Sequence, residues 1–442
     1  MADRGEWGSD AGFILAAVGG AVGLGNLWGF AYSASQGGGA AFLILYLFFV
    51  LLIGMPVLTA ELVIGRRTGR SPIEALGSLT GGRWKWLGAI FVFAGFGILS
   101  FYSVIMGWTG RLLVDFLRGA VPADTGAYFG AISEGGGAIA AHLIGMALTI
   151  AVIRSGVRGG IERVSVILMP VLFALLIGLG VWAATLSGGG PGYRFYLQPD
   201  FSRVLHASTI TGAAGQAFFS LSLGMGAMIT YASYLKGSGN LPGKAGTIAL
   251  TDTAVAFVGG LVTFPILYHF GLNDQVSESA IGVLFIAVPR GFLSMGGTGQ
   301  LIGIVFFFAL YIAALTSAIS ILEVVTSAAI DTLGWERSRA ALQVGIVVAV
   351  AGIPGALSSN WVGFLFQLFG EVFLVFGGLM LALLVGYFWT AGAREELRRG
   401  FGSELGADAW VWLLRTLVPA VLAVTLYFSV LELIPAARAL FG

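Results

Sequence analysis

An acidic residue, Asp252, lies in a stretch that is otherwise apolar or small, GTIALTDTAVAFVGG. A carboxylate inside a hydrophobic segment is costly, so such a residue indicates a functional site by default. The chemistry that it offers is electrostatic, because a buried carboxylate attracts a cation. The alternative is a solvated aspartate near the end of a helix.

Two glycine-rich stretches offer further polar groups. They are GGAVGLGN at 19–26, with four glycines in its first seven residues, and SLSLGMG at 220–226. Each glycine disfavours a helix by about 1 kcal/mol relative to alanine. Backbone opened at such breaks exposes carbonyls that can bind a cation and amides that can bind a carboxylate. The alternative is close helix packing through small residues.

The composition places these residues in a membrane protein. Of the 442 residues, 57% are hydrophobic and 10% are charged, whereas a soluble domain has about 25% charged residues. Contact with a lipid bilayer accounts for the difference. The net charge of +1 and the absence of cysteine give no reason to expect a nucleic-acid partner or a thiolate metal site. The sequence also lacks an HExxH motif, a nucleophile elbow and an Asp-rich metal motif, so we expect no enzyme activity.

Apolar stretches of about 20 residues predict eleven membrane-spanning helices. They lie near 11–34, 40–65, 87–117, 138–154, 164–186, 207–235, 247–271, 299–330, 340–357, 361–390 and 410–433. Seventeen of the 23 Lys and Arg residues then fall on one side and six on the other. This bias predicts a cytoplasmic amino terminus, and the odd number of spans then places the carboxyl terminus outside. We expect a multi-pass protein of the plasma (inner) membrane.

The glycine-rich stretches fall within the first and sixth of these spans. Irregular backbone at membrane depth is tolerated only where it is buried in protein or lines a cavity. A pair of interrupted helices in corresponding halves of a chain is typical of secondary transporters. The sequence therefore predicts a transport site between the two breaks.

Five stretches carry a family resemblance: WGSDAGFILAAVGGAVGLGNLWGF, PVLTAELVIGRRTG, GGIERVSVILMP, GQAFFSLSLGMGAMITYASY and ALTSAISILE. Together they resemble the neurotransmitter:sodium symporter family, of which the bacterial leucine transporter is the type example. The resemblance runs from Trp7 to about residue 390. It implies an all-α leucine-transporter fold with 11 transmembrane helices, of which helices 1 and 6 are unwound at mid-membrane. The chain, 1–442, would form one domain: a five-plus-five inverted repeat (about 11–186 and about 207–390) and an extra helix (about 410–433).

The resemblance implies two sodium sites made of oxygen donors, and therefore two Na⁺ ions. The first matches Ala21, Asn26, Ser220 and Asp252, and the second matches Gly19, Val22, Ala313, Thr316 and Ser317. Carbonyl, hydroxyl and carboxylate oxygens are hard donors of the kind that a small cation needs. Asn26 and Thr316 could instead bond only to helix backbone.

The same resemblance implies a substrate site for a small amino acid or a related carboxylate-bearing amine. Its residues would be Ala21, Gly23, Leu24, Gly25, Ile98, Tyr102, Phe218, Phe219, Ser222, Met225, Ser317 and Ile321. Gly23 stands where amine transporters carry an aspartate, which favours a ligand with its own carboxylate. Phe219 and Met225 could instead be core residues.

Chloride dependence is the next property that the resemblance bears on. Chloride-dependent relatives usually have asparagine at the position of Asp252. A fixed carboxylate there could replace the charge of the anion, so we expect chloride not to be required.

The family's outer gate, an Arg–Asp pair, is missing from this chain. Gly29 occupies the arginine position, and the aspartate position falls near Phe366 in WVGFLFQLF. Both charges are absent together, which is consistent with loss of the pair, because either charge alone would be a costly orphan. Gln216, which normally lies beside this gate, is retained.

The cytoplasmic gate of the family is matched at four positions, with Glu323 nearby. These are Arg4, Trp7, Tyr234 and Asp331. Glu371, in contrast, stands where the family is usually uncharged. It could bind a cationic part of the substrate, carry a proton, replace the outer gate or simply bond a neighbouring helix.

The function expected from these features is sodium-coupled symport by alternating access, carried out by a monomer or weak dimer. The alternative is a non-transporting sensor or channel-like protein of the same fold, which the missing outer gate favours. The retained sodium ligands favour the symporter.

Overall fold

The computed structural model of the protein describes residues 5–202, 204, 206–237, 239–272, 280–401 and 404–441, which are almost entirely helical. The α-helices of these residues are α1 (Asp10–Ala21), α2 (Phe30–Gln36), α3 (Ala40–Phe49), α4 (Met55–Thr68), α5 (Pro72–Leu79), α6 (Lys85–Leu117), α7 (Thr125–Ser133), α8 (Gly136–Arg154), α9 (Arg163–Ala183), α10 (Gly190–Leu197), α11 (Ala207–Ser220), α12 (Ala227–Ala232), α13 (Leu241–His269), α14 (Ala280–Gly282), α15 (Val288–Ser294), α16 (Gly297–Leu333), α17 (Arg337–Leu357), α18 (Ser359–Leu365), α19 (Leu374–Leu383), α20 (Thr390–Phe401), α21 (Glu404–Arg415) and α22 (Leu417–Phe441). Short π-helical segments lie at Gly25–Gly29, Val50–Gly54, Val157–Glu162, Val283–Ala287, Phe366–Phe373 and Leu384–Phe388. The predicted all-α class is confirmed.

Nine of the eleven predicted spans coincide with helical segments long and apolar enough to cross a membrane. Within the described residues these are Ala40–Thr68, Lys85–Leu117, Gly136–Arg154, Val157–Ala183, Leu241–His269, Gly297–Leu333, Arg337–Leu357, Ser359–Phe388 and Glu404–Arg438. The shortest has 19 residues. At about 1.5 Å per residue its length is close to the thickness of the hydrocarbon core.

The first and sixth predicted spans are interrupted. The first consists of Asp10–Ala21 and Gly25–Gln36, whose axes differ by 65°. In the sixth, α11 ends at Ser220 and α12 begins at Ala227. Both interruptions fall on the glycine-rich stretches, because glycine tolerates the backbone conformations that a break requires.

Helices α6 and α16 pack together in antiparallel fashion inside the bundle. Phe116 near the end of α6 meets Gly303 near the start of α16, where a Cβ would lie 2.4 Å from the ring. Gly95 near the start of α6 faces Val324 near the end of α16. The last segment, Glu404–Arg438, is only 17% buried, against 67% for α6 and for α16. It is therefore peripheral, with an apolar outer face suited to lipid.

Candidate substrate and ion sites

The break in the first span exposes backbone carbonyls. Helix α1 ends at Ala21, and Val22 is extended, with φ −69° and ψ 111°. The Ser317 hydroxyl donates to the carbonyl of Val22 at 3.0 Å and lies 3.5 Å from that of Gly19. Carbonyls at the end of a helix have no partner within it. They are therefore available to a side chain or to a cation.

The break in the sixth span is held by a buried acid that sequence reasoning missed. Glu61 of α4 is fully buried and accepts hydrogen bonds from the N–H groups of Gly224 (2.9 Å) and Met228 (3.0 Å). Gly224 has a φ of +81°, a conformation that favours glycine. Glu61 is an acid inside a predicted span, and that signal alone could have identified it.

A cavity lies between the two breaks. Eleven of the twelve predicted substrate residues line it: Ala21, Gly23, Leu24, Gly25, Ile98, Tyr102, Phe219, Ser222, Met225, Ser317 and Ile321. Asn26 and Ser220 of the first predicted sodium site also line it. So does Leu374 of α19, which the sequence did not identify.

Phe218, predicted to line the pocket, lies elsewhere. Its side chain is fully buried beside Gly378 of α19, where a Cβ would lie 2.1 Å from the ring. Phe219 lines the cavity instead. Consecutive residues of an α-helix point about 100° apart, so these two phenylalanines cannot share one wall.

Three residues predicted for the first sodium site form one hydrogen-bonded cluster. Asp252 of α13 is fully buried and accepts from Asn26 Nδ2 and Ser220 Oγ, each at 2.6 Å. Asn26 Nδ2 also lies 2.8 Å from Ser220 Oγ, and the Tyr46 hydroxyl donates to that oxygen at 3.2 Å. These donors are neutral, so an ionised Asp252 makes the cluster electrostatically complementary to a cation. Ala21, the fourth residue predicted for this site, lines the same cavity.

The five residues predicted for the second sodium site lie where α1 meets α16. A Cβ at Gly19 would lie 3.3 Å from Thr316 Cβ. The Thr316 hydroxyl donates to the carbonyls of Ile312 at 3.0 Å and Ala313 at 3.1 Å in its own helix, whereas the Ser317 hydroxyl donates to Val22 as described above. The bonds of Thr316 are thus to helix backbone, and its role as a sodium ligand stays a prediction. No group of three His, Cys, Asp or Glu able to hold a metal ion occurs among the described residues.

Trp7 and Tyr234 meet on the side of the bundle where α1 begins, here called the amino-terminal face. The Trp7 backbone N–H donates to the Tyr234 carbonyl at 3.4 Å, and their ring centroids lie 6.3 Å apart. The Tyr234 hydroxyl donates to Glu323 at 2.5 Å, and Arg337 pairs with the same carboxylate oxygen at 2.8 Å. Arg337 was not predicted here. The signal was Glu323, which is fully buried, since a buried charge needs a partner.

The other two residues predicted for this gate are Asp331 and Arg4. Asp331 accepts from the backbone N–H of Ser71 at 2.6 Å. Arg4 lies outside the described residues. The gating role of all four residues stays a prediction.

Aromatic rings lie on the other side of the cavity, where the outer gate was expected. The rings of Phe219 and Phe366 meet edge to face at 5.4 Å, and Phe366 also meets Phe101 at 6.0 Å. Gln216 donates to a backbone carbonyl of the first break at 3.0 Å. A Cβ at Gly29 would lie 3.7 Å from Gln216 Oε1. Ring packing thus occurs at Phe366, near which the aspartate of the family's gate was expected.

Glu371 lies in the π-helical segment Phe366–Phe373 and does not line the cavity. A second acid, Glu432 of α22, lies close enough to interact electrostatically with the Glu371 carboxylate. This placement separates Glu371 from the substrate site, and its role stays a prediction.

Two interrupted spans around a shared cavity are typical of secondary transporters. The model of the sodium:neurotransmitter symporter family matches residues 4–128 and 130–439. A crystal structure of MhsT in complex with L-phenylalanine is similar, with a TM-score of 0.87 and 38% identity, covering 96% of this chain and 99% of that one.

Relatives from three organisms agree with this match. The uncharacterized sodium-dependent transporter YhdH of Bacillus subtilis is 35% identical over 445 residues, covering 96% of each chain. The uncharacterized sodium-dependent transporter MJ1319 of Methanocaldococcus jannaschii is 37% identical over 359 residues, covering 77% of this chain and 73% of that protein. The sodium-dependent nutrient amino acid transporter 1 of Drosophila melanogaster is 25% identical over 480 residues, covering 89% of this chain and 72% of that protein.

The chain belongs to the sodium:neurotransmitter symporter family. It is a multi-pass, sodium-coupled membrane transporter of the leucine-transporter fold, and the family consists of transporters rather than enzymes. The family, fold class and non-enzymatic nature expected from the sequence are confirmed.

Proposed function

We propose that the protein couples the inward movement of sodium to uptake of a neutral amino acid. The observation that carries this proposal is the cavity between the two breaks, which has a polar end and an apolar end. The polar end combines the Leu24 and Gly25 amides and the Tyr102 hydroxyl with the Asp252 cluster. A substrate carboxylate and a sodium ion would fit side by side there.

The polar end supports a substrate that brings its own carboxylate. The Leu24 N–H donates to the Tyr102 hydroxyl oxygen at 3.3 Å. A substrate carboxylate would replace that oxygen as the acceptor of the Leu24 N–H and would also accept the Tyr102 hydroxyl proton. A Cβ at Gly23 would lie 2.8 Å from Ser317 Oγ and 2.9 Å from Tyr102 Oη. The aspartate that amine transporters carry at this position therefore has no room.

Two of the similar proteins support an amino acid substrate. MhsT was crystallised with L-phenylalanine, and the Drosophila relatives are nutrient amino acid transporters. The apolar end of the cavity, formed by Ile98, Met225, Ile321 and Leu374, suits an uncharged side chain.

We propose two sodium ions, one at each oxygen cluster. Asp252 and Asn26 would bind the first together with Ser220 and the Ala21 carbonyl. The second would be bound by the carbonyls and hydroxyls between α1 and α16. We propose that chloride is not required, because Asp252 places a negative charge directly at the first cluster.

Alternating access would require each side of the cavity to open in turn. The hydrogen-bonded network around Glu323 would close the cavity on the amino-terminal face. The packed rings of Phe219 and Phe366 would close it on the opposite side. From the charge bias we propose a cytoplasmic amino terminus and an outside carboxyl terminus in the plasma (inner) membrane. A monomer or weak dimer stays the expected assembly.

Uptake into proteoliposomes tests this function. Initial rates of labelled neutral amino acids are measured with external sodium, potassium or choline. We expect uptake only in sodium, weakened by Asn26→Ala and Thr316→Ala. The matched control is Thr149→Ala, because the buried Thr149 hydroxyl also bonds the carbonyl four residues earlier, at 2.9 Å, but lies in α8. Equal uptake in potassium or choline would contradict sodium coupling.

Substrate class is tested by thermal shift with amino acids and their decarboxylated amines. Stabilisation by at least one neutral amino acid, in sodium but not potassium, is expected. Tight binding of an amine with no binding of any amino acid would overturn the assignment. Sodium-dependent binding without uptake would instead identify a non-transporting sensor.

A further inference from the structure

The apolar end of the cavity contains a residue from outside the predicted substrate site. Leu374, the first residue of α19, is 1% exposed and lines the cavity. We propose that Leu374 sets the upper size limit of the substrate side chain. This inference rests on the proposed function, because it concerns the other end of the same cavity.

Helices α6 and α16 show which way the substrate would point. Ile98 lies four residues before Tyr102 in α6, and Ile321 lies four residues after Ser317 in α16. Because the two helices are antiparallel, both isoleucines lie about 6 Å nearer the amino-terminal face than the tyrosine and serine. A substrate with its carboxylate at Tyr102 would therefore direct its side chain towards that face.

Leu374 lies at the same end of the cavity as the two isoleucines. Phe366 packs on Phe219 at the opposite end, and Leu374 follows it by eight residues in the same continuous helical segment. That separation is on the order of 10 Å along the helix axis. Leu374 therefore faces the far end of the substrate side chain.

The backbone of α19 is fixed against the break in the sixth span. A Cβ at Gly224 would lie 2.0 Å from the Leu374 carbonyl oxygen, and a Cβ at Gly377 would lie 2.1 Å from the Gly224 carbonyl oxygen. Because no side chain separates the two backbones, α19 cannot move closer to the second break. Any shift of α19 would also disturb the backbone at Gly224, which Glu61 holds by a hydrogen bond. The space available to a substrate is therefore set by the Leu374 side chain.

The other residues of the apolar end are less suited to set a sharp limit. Met225 is unbranched and can change rotamer to make room. Ile98 and Ile321 line the same end of the cavity from α6 and α16, but within the described residues no backbone contact with the second break fixes them as it fixes Leu374. Leu374 combines a fixed backbone with a position at the end of the cavity.

The test compares initial uptake rates of alanine, valine, leucine, phenylalanine and tryptophan in sodium. Leu374→Ala should raise the kcat/KM of tryptophan relative to valine by about tenfold, and Leu374→Phe should lower it by a similar factor, since a few apolar groups in such a pocket change selectivity by about that much. Val375→Ala is the matched control. Val375 is the next residue and is similarly buried, at 2% exposed, but it does not line the cavity. The Val375→Ala variant should therefore keep the wild-type ratio of kcat/KM for tryptophan to that for valine.

The outcomes separate this inference from the function on which it rests. No sodium-dependent uptake of any amino acid by the wild type would overturn the function itself. Normal wild-type uptake, with the same size profile in Leu374→Ala, Leu374→Phe and Val375→Ala, would overturn the role of Leu374 alone. If Leu374→Ala does not yield folded protein, Leu374→Val decides the matter through a smaller shift of the same sign.

Discussion

Replacing Asp252 with asparagine should make uptake, which we propose to be independent of chloride, require an external anion. Asp252 is the acid of the first ion cluster and is fully buried. Attraction between unit charges about 4 Å apart, at an effective dielectric near 20, is about 4 kcal/mol before desolvation is counted. At about 1.4 kcal/mol per tenfold change, its loss would weaken sodium binding by up to about a thousandfold. The amide oxygen of asparagine can still accept the ion as a neutral ligand and so offsets part of this loss, and we therefore expect at least a tenfold loss.

The hydrogen bonds of the cluster act in the same direction. One oxygen of Asp252 accepts from Asn26 and the other accepts from Ser220. An asparagine has one acceptor oxygen, and its NH₂ group would face one of these donors. Leaving a buried donor without an acceptor costs about 1–3 kcal/mol. The substitution therefore removes charge and also disturbs the ligand geometry.

The assay is sodium-dependent uptake with chloride replaced by gluconate. Wild-type uptake should persist in gluconate, while Asp252→Asn should be inactive there and recover in part as chloride rises. Asp115→Asn is the matched control. Asp115 is also buried, but it accepts from Tyr128 and Arg111 near the far end of α6. Wild-type uptake that requires chloride would refute the reasoning and return Asp252 to a structural role.

Three further substitutions test the gates and the second break. Gly29→Arg should impair transport by placing an unpaired charge beside Gln216, whereas Gly29→Ala should be tolerated; faster uptake by the arginine variant would refute the aromatic gate. Glu61→Gln should lower thermal stability and substrate affinity by about 1–3 kcal/mol, because one backbone N–H loses its acceptor; an unchanged melting temperature would contradict this. Arg337→Ala should destabilise the protein by about 3–5 kcal/mol by leaving Glu323 buried without its charged partner, and a loss below about 1 kcal/mol in chemical unfolding would count against the pair.

The sequence predicted most of the fold because the solvent imposes a simple pattern. A helix that crosses lipid needs about 20 apolar residues, and nine predicted spans coincide with such helices among the described residues. The glycines at 19–25 and at 224–226 located the two breaks. Segment positions were therefore accessible, whereas the proposed repeat boundaries, 11–186 and 207–390, stay predictions.

Residues predicted from the two breaks line the cavity, while their roles as ligands stay predictions. Asp252 was identifiable as an acid in an apolar stretch, and Asn26 and Ser220 followed from the resemblance. Phe218 was assigned wrongly to the cavity wall, because a linear motif does not show which of two adjacent phenylalanines faces inwards.

The residues that the sequence missed act through long-range helix contacts. Leu374 reaches the cavity because α19 packs on Gly224, and Glu61 reaches the second break from α4. Nothing local in either stretch specifies the partner helix. Hydrophobic periodicity identifies the buried face of a helix. Which other helix packs against that face depends on packing across the whole bundle.

The two breaks are held in different ways, and this difference bears on how ions would act. Hydroxyls of Ser317 and Ser222 donate to carbonyls of the first break, and the Asn26 side-chain oxygen accepts from one of its amides. These side chains are themselves proposed ligands, so a bound ion or substrate would exchange with the contacts that hold this break. The second break is held by Glu61 and by backbone packing against α19, neither of which belongs to an ion cluster. We therefore expect sodium to slow hydrogen exchange in the first break far more than in the second.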